Sequence, residues 1–259
     1  ITRGSRIVAE GTAQEPIVFK DVELGYHHLS EWGGLIIQGR AGHAECSDNG
    51  GSCNAMSVQN AYINDDSSPI ELSALGYSGG TDETDSSGIL RHIVITEAGQ
   101  NQDYDDNGSR VEGRFGGLVL QSVGRGTEID SVQIHRNGWN PALRVDGGSV
   151  NIRAVTVSDN ESDSIRLGSG YKGNLQDVYV RQQDWGSHKR MAIRVVSEEG
   201  AARVTTPTIA NALIVAGKSR PCQDCGDDPE PSEPFIMSVE GGAGGFFHNM
   251  VVTVDPGSD

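Results

Sequence analysis

The sequence has no long apolar run and little positive charge. Among its 259 residues, no stretch approaches the roughly 18 apolar residues that a membrane-spanning helix needs. The 20 Lys and Arg residues stand against 36 Asp and Glu, a formal net charge of −16. Since phosphate binding needs clustered Lys and Arg, this balance disfavours nucleic acids and anionic membranes as partners. A solubilising acidic surface is the simplest interpretation, and binding of cations or neutral ligands is the alternative.

Amphipathic helical segments are missing as well. A doubly wound α/β fold needs helices of about ten or more residues between its strands, and no segment has that apolar spacing. The 35 glycines and 9 prolines also argue against helices. The absence of helical segments excludes the α/β class and favours an all-β fold.

A short pattern recurs eight times: an apolar residue, two mostly polar residues, an apolar residue, any residue and an apolar residue. Its last three positions alternate as in a strand with one buried face. The first members Ile129, Ile152 and Leu175 are each 23 residues apart, and such a period indicates a repeat array. The copies are Phe19/Val22/Leu24, Val58/Ala61/Ile63, Leu90/Ile93/Ile95, Ile129/Val132/Ile134, Ile152/Val155/Val157, Leu175/Val178/Val180, Ile209/Ala212/Ile214 and Phe247/Met250/Val252.

Most repeats contain a second predicted strand, usually opened by Gly or Pro and followed by a Gly-rich turn. The two polar residues inside the pattern, which include His92 and His248, are predicted to form a bend. Such a coil is too small to bury its own apolar face, so successive coils must stack with equivalent strands in parallel. The second strands are predicted at 35–38, 70–72, 118–120, 143–145, 165–167, 193–195 and 236–239.

The repeat therefore predicts one domain over residues 1–259. Its fold is all-β, a parallel β-helix solenoid of about eight coils with loop insertions and a length of roughly 40 Å. Four segments exceed the regular coil and are predicted to be those insertions: 39–54, 76–87, 98–114 and 218–234. In solenoids such insertions often collect on one binding face.

Two acidic groups lie in or beside predicted turns. If the loops stack, carboxylates from different coils could form a metal site or an acid/base pair. Solvated turns are the alternative. The groups are Asp82, Glu83 and Asp85, and Asp159, Glu161 and Asp163.

The four cysteines form two close pairs, Cys46 with Cys53 and Cys222 with Cys225. Local disulfides fit these loops best, and disulfides persist in oxidising compartments, which predicts a secreted or outer-surface location. A zinc site made of all four thiolates is the alternative, although the first pair is too widely spaced for its half of such a site. Because residues 1–10 read as strand rather than export signal, we expect a processed part of a larger secreted precursor.

The most specific local motif is the acidic segment at 103–108. Asp103, Asp105 and Asn107 alternate like the first ligands of a calcium loop, and the glycine after them permits a sharp turn. Arg114 stands where the full EF-hand pattern has Glu, so only half of that pattern is present. The motif predicts a Ca²⁺ site, and a solvated acidic turn is the alternative.

Several aromatic residues lie in or beside predicted turns rather than at inward strand positions. A flat ring on a turn can stack on the CH-rich face of a sugar. We therefore predict that Tyr104, Trp139, Tyr171 and Trp185 bind a ligand. Packing of the loops against the solenoid is the alternative.

Four segments resemble secreted bacterial β-helix proteins of the pectate-lyase-like superfamily: 7–19, 31–37, 79–88 and 170–176. The resemblance implies a right-handed parallel β-helix, but it carries no single reaction, because lyases, hydrolases, tailspikes and adhesins share the fold. The catalytic sets of the polygalacturonase-like members are missing, apart from an isolated Asp105-Asp106.

These observations favour a non-catalytic extracellular scaffold, adhesin or assembly subunit that binds glycans or copies of itself. Apolar strands near both termini, without a helical cap, favour end-to-end assembly. One alternative is a polysaccharide lyase or glycoside hydrolase acting on an acidic polysaccharide, with Arg110, Arg114 or Lys172 as the base. A calcium-stabilised structural module is the other. No catalytic residue is assigned, and no nucleic acid or membrane insertion is expected.

Overall fold

The computed structural model describes residues 1–21, 32–48, 55–57, 77–99, 116–138, 140–182, 191–217 and 235–254. Within these ranges, no helix is long and apolar enough to cross a membrane. The elements are β1 (Ile7–Glu10), β2 (Ile17–Phe19), β3 (Leu35–Gln38), α1 (Ala44–Asp48), β4 (Ala55–Ser57), β5 (Tyr77–Ser78), β6 (Gly88–Thr96), β7 (Leu118–Gln121), β8 (Glu128–His135), β9 (Leu143–Asp146), β10 (Asn151–Ser158), β11 (Ile165–Gly168), β12 (Asn174–Arg181), β13 (Met191–Val196), β14 (Thr208–Ala216), β15 (Phe235–Glu240) and β16 (Phe246–Val254).

Two parallel sheets build the fold. The longer sheet has the order β1-β6-β8-β10-β12-β14-β16, with β2 also paired to β6, and the second sheet has the order β15-β13-β11-β9-β7-β3. From β6 onward the chain alternates between the two sheets, so each turn of the chain adds one strand to both. Buried residues from the two sheets form one apolar core. The predicted all-β parallel solenoid is confirmed.

Equivalent residues of successive coils form vertical rows inside this core. Ile129 pairs with Ile152, which pairs with Leu175. Their exposed fractions are 2%, 2% and 0%, so all three point inward, as the 23-residue period predicts. Because each level covers the next, the inward rows of the middle coils are enclosed.

A sharp backbone bend explains the two polar residues inside each repeat. The second of them has a left-handed φ, for example 58° at Asp177 and 57° at Asn211. In a regular strand, two intervening residues would turn the next apolar residue to the opposite face of the sheet. The bend turns that residue back toward the core. Asn and Asp tolerate this backbone region better than most residues. The Asn211 amide donates to Asp177 at 3.0 Å, and the Asn249 amide donates to Asn211 at 3.2 Å, which links three bends.

The structure corrects the first copy of the repeat. Phe19 pairs with Ile95, so it occupies the third apolar position and not the first. The first two positions belong to Ala9 and Ile17. The pattern is hidden in the sequence because residues 11–16 interrupt it. The other predicted members of this copy, Val22 and Leu24, lie outside the described residues.

The number of coils can be followed on the described strands. The predicted second copy at 58–63 and the predicted strand at 70–72 lie outside the described residues. Among the described strands, no level separates the first copy from the third, because β6 pairs directly with both β1 and β2. The described strands of the longer sheet therefore form seven levels.

Part of one insertion, 79–87, is a strap across the turns of several coils. Its Glu83 carboxylate lies 2.8 Å from the Arg203 guanidinium and accepts a hydrogen bond from the Gly42 amide at 3.2 Å. Arg203 also donates to the carbonyl of Gly170 at 2.7 Å. The ion pair thus joins the strap to turns from different levels.

Shortening an inward side chain should destabilise the solenoid far more than shortening its outward neighbour. Leu175 is fully buried, so Leu175→Ala should lower the free energy of unfolding by about 2–5 kcal/mol through lost burial and a residual cavity. Gln176→Ala, at the next, exposed position, should change it by less than about 0.5 kcal/mol. Denaturant unfolding monitored by circular dichroism measures both, and equal effects would contradict inward stacking at Leu175.

Removing the charge of Glu83 should destabilise the chain at neutral pH and not in acid. Burial alone would raise the pKa of this carboxyl, but hydrogen bonding with Ser149 and the charge of Arg203 lower it below its ordinary value of 4.5. A carboxyl group whose pKa is lower in the folded state stabilises the fold at pH values above its unfolded-state pKa. This stabilisation is lost as the pH falls through the folded-state pKa. Glu83→Gln should therefore cost on the order of 2 kcal/mol at neutral pH.

The control for this prediction is Glu199→Gln, which changes an exposed carboxylate. Melting temperatures are measured from neutral pH down to about pH 2.5. Glu83→Gln should melt below the parent at neutral pH, and the two melting temperatures should become equal below the folded-state pKa of Glu83. A constant gap across this range would contradict the ion-pair explanation.

Candidate functional site

Tyr171 is the one predicted ligand-binding aromatic within the described residues, and it is not on the surface. Its side chain is fully buried, and its hydroxyl donates to the Val150 carbonyl at 2.8 Å. The ring packs inside the core, so the prediction that it stacks on a ligand is wrong. Tyr104, Trp139 and Trp185 lie outside the described residues, and their role stays a prediction.

The predicted calcium ligands Asp103, Asp105 and Asn107 also lie outside the described residues. The two other acidic groups lie within the described residues, and their carboxylates do not converge on one point. Asp82 accepts hydrogen bonds from Thr84 within its own turn. Within the described ranges, no group of three His, Cys, Asp or Glu residues could hold a metal ion. Further members face separate partners: Glu83 with Arg203, Asp85 with the backbone amide of Arg40, Asp159 with His135 and Arg181, and Asp163 with Arg194.

Cys46 lies on the short helix α1 and has an exposed fraction of 1%. Its predicted partner Cys53 and the pair Cys222 and Cys225 lie outside the described residues. Both disulfide pairings therefore remain predictions.

Of the three residues predicted as a catalytic base for an enzyme, one lies within the described residues. Lys172 is exposed, while Arg110 and Arg114 lie outside the described residues. An assignment of either arginine to a catalytic role stays a prediction.

A concave site forms where the first coil departs from the repeat. Strand pairing stops after residue 10 and resumes with Ile17 opposite Ile93, so residues 11–16 face the single bend residue His92. A glycine is needed at position 11, because a side-chain carbon there would lie 2.5 Å from the His92 carbonyl oxygen. The extra residues leave the sheet as a tight loop.

This loop is closed by its own hydrogen bonds. The Thr12 amide donates to the Glu15 carbonyl at 3.0 Å, and the Glu15 amide donates to the Thr12 hydroxyl oxygen at 2.9 Å. The second contact uses the hydroxyl as an acceptor, which leaves its hydrogen able to donate to a ligand. The loop therefore has a defined structure and forms one wall of the concave site.

The space between this wall and the outer surface of the sheet is a pocket of about 350 Å³, which we call the bend pocket. Bend residues and outward-facing strand residues of β6, β8 and β10 form its floor, so it crosses three coils. Its lining consists of Thr12, Ala13, Pro16, His92, Ile93, Val94, Ser131, Gln133, Ala154 and Thr156.

The lining of the bend pocket is neutral and mixed. Thr12, Gln133 and Thr156 supply hydrogen-bond donors and acceptors, while Pro16 and Val94 supply apolar surface. The described lining contains no carboxylate, Lys or Arg, and a histidine is its one ionisable side chain. Such a surface suits an uncharged ligand that has both hydroxyl groups and an apolar face.

Reasoning from sequence placed His92 at a bend but missed the pocket. The segment 12–16 is not recognised as an insertion when the first repeat is assigned to Phe19 and the residues after it. A usable signal is present, since the strand-like run at 7–10 precedes a glycine and another apolar run begins at Ile17.

The comparisons with known proteins agree with the architecture. A family model described as a pectate-lyase-like β-helix domain matches residues 1–254. Comparison with curated proteins and with solved structures found no match. Since the matched range spans nearly the whole chain, this protein belongs to the pectate-lyase-like β-helix domain family.

Proposed function

We propose that the chain is a non-catalytic extracellular β-helix that binds an uncharged portion of a glycan in the bend pocket. The observation that carries the proposal is the lining, in which hydroxyl and amide groups lie beside small apolar surfaces without a carboxylate, Lys or Arg. A sugar ring has the matching combination of hydroxyl groups and a CH-rich face. The net charge of −16 agrees with a neutral rather than an anionic ligand.

The position of the pocket favours recognition of an extended chain. Its floor belongs to parallel strands whose inward rows are buried, so the binding groups are held on a preorganised surface. The outer surface of the sheet continues past the pocket to Tyr179, which lies in the same outward row as Thr156. A glycan longer than one sugar would run along this row.

The lining supports binding rather than turnover. Glycoside hydrolysis ordinarily uses two carboxyl groups, and lyase chemistry needs a base beside a charge-stabilising centre. The residues that line the bend pocket offer neither arrangement. Secretion, surface location and binding of calcium by Asp103, Asp105 and Asn107 are further parts of the proposal.

Truncating the polar floor should weaken glycan binding without altering the fold. A screen of immobilised neutral and acidic glycans with the parent chain identifies the ligand, and calorimetry measures its affinity. Gln133→Ala and Thr156→Val should each weaken binding by about fivefold, because each removes a hydrogen bond worth about 1 kcal/mol. Gln176→Ala and Thr208→Val alter strand residues that do not line the pocket, so they should bind like the parent.

Two outcomes would overturn the proposal. Unchanged affinity in both pocket variants would show that the bend pocket is not the site, and the absence of any glycan bound at millimolar concentration would exclude glycan recognition. Incubating the bound glycan with the chain tests the non-catalytic part. New reducing ends or unsaturated products would contradict it.

A further inference from the structure

Exposed apolar side chains concentrate at the two ends of the solenoid. Of the ten large hydrophobic residues that are exposed within the described part of the chain, nine lie in β1, β2, β15 or β16 or at Ile1. The exception is Leu213. The pattern therefore belongs to the terminal strands and not to the outer surface in general.

At the β16 end, side chains of the inward rows are exposed to solvent, whereas the same rows are buried in the inner coils. Val252 continues the row of Val180 and Ile214, which are both fully buried, yet its own exposed fraction is 50%. Phe246 and Val251, in outward rows of the same strand, are 65% and 58% exposed. Among the described strands, β16 pairs on one side alone, with β14.

The opposite end presents a second open edge. Ile17 continues the row of Ile93, and its exposed fraction is 36% against 1% for Ile93. Val8 and Val18 are 69% and 52% exposed. Within the described residues, β1 and β2 both pair on one side only, with β6.

We propose that a second copy of this chain docks its β1–β2 edge onto β16 and continues the longer sheet in parallel, head to tail. Extending the observed register by one level places Phe246 against Val8 of the second copy and Val251 against Val18. Four exposed apolar residues then cover one another in two pairs. Unpaired strand edges are templates for this type of pairing.

Side-chain size also matches in this register. In two of the three inward rows a large residue faces a smaller one, because Phe247 meets Ala9 and Val252 meets Phe19, while Met250 meets Ile17 in the third. Alternation of large and small residues lets facing layers fill the space between them. This agreement between two edges of one chain favours a second copy over an unrelated partner.

In this arrangement the longer sheet alone forms the contact between the two copies. At the first level of the second sheet, Ile1 already occupies the edge of β3, because its amino group donates to the Ile36 carbonyl at 2.7 Å and its carbonyl accepts from the Gln38 amide at 2.9 Å. Since the two docking edges are different surfaces, each added copy leaves a free edge, and the assembly is an open filament. A net charge of −16 per copy opposes assembly, so salt should promote it.

Light scattering on the 259-residue chain tests the assembly. The mean mass should rise with protein concentration and rise further as NaCl is increased from about 20 mM to about 500 mM. Val252→Lys should weaken association by about tenfold or more, because it places an unpaired charge in an inward row that the contact would enclose. Leu213→Lys is the control, because it adds the same charge at an exposed, outward position of the inner strand β14, away from the contact. Thermal melting confirms that both variants are folded.

Cross-linking tests the register. Val18→Cys and Val251→Cys chains, mixed and treated with a short bis-maleimide, should give a heterodimer, whereas the double variant should give a ladder of multimers. The parent chain controls for its own cysteines. Homodimers of either single variant would indicate symmetric edge pairing and overturn the proposal, as would a monomer at every concentration with no ladder. Glycan binding by an unassembled chain would leave the proposed function intact.

Discussion

Burial in this protein is shared between coils, and the rest of the structure depends on that sharing. A single coil leaves its apolar rows open above and below, and only the adjacent levels remove them from water. The partner of Ile152 is therefore never a sequence neighbour but a residue one full turn away on either side. The register is strongly specified for the same reason, because a slip of one residue would turn an inward row toward solvent.

This constraint acts on the inward rows and leaves the outer surface and the turns free to vary. The loop at 11–16 leaves the sheet at a bend, and the sheet resumes at Ile17 in the same register. The strap at 79–87 instead crosses the turns and is held there by the pair of Glu83 and Arg203. One insertion creates a pocket over a rigid floor, while the other ties levels together. The ends of the solenoid are the places where shared burial is incomplete.

The fold could be predicted because its main determinant is periodic, whereas the candidate site depends on pairing across distant segments. Equal spacing of Ile129, Ile152 and Leu175 predicts both the strands and their parallel pairing, and the structure confirms these rows. The bend pocket could not be found in this way, because the loop at 11–16 interrupts the first repeat and removes the spacing that makes a repeat visible. The glycine-rich turn before Tyr171 suggested an exposed ring, yet the ring is fully buried in the core.

Hydrogen exchange of the folded chain, read by mass spectrometry at low salt and at a concentration at which the chain is a monomer, tests the central claim most directly. If burial is shared between levels, the amides of β8, β10 and β12 should exchange most slowly, and protection should decrease through β14 to β16 and through β6 to β1. Exchange of the inner strands at the same rate as the terminal strands would contradict the account, since each coil would then be stable without its neighbours.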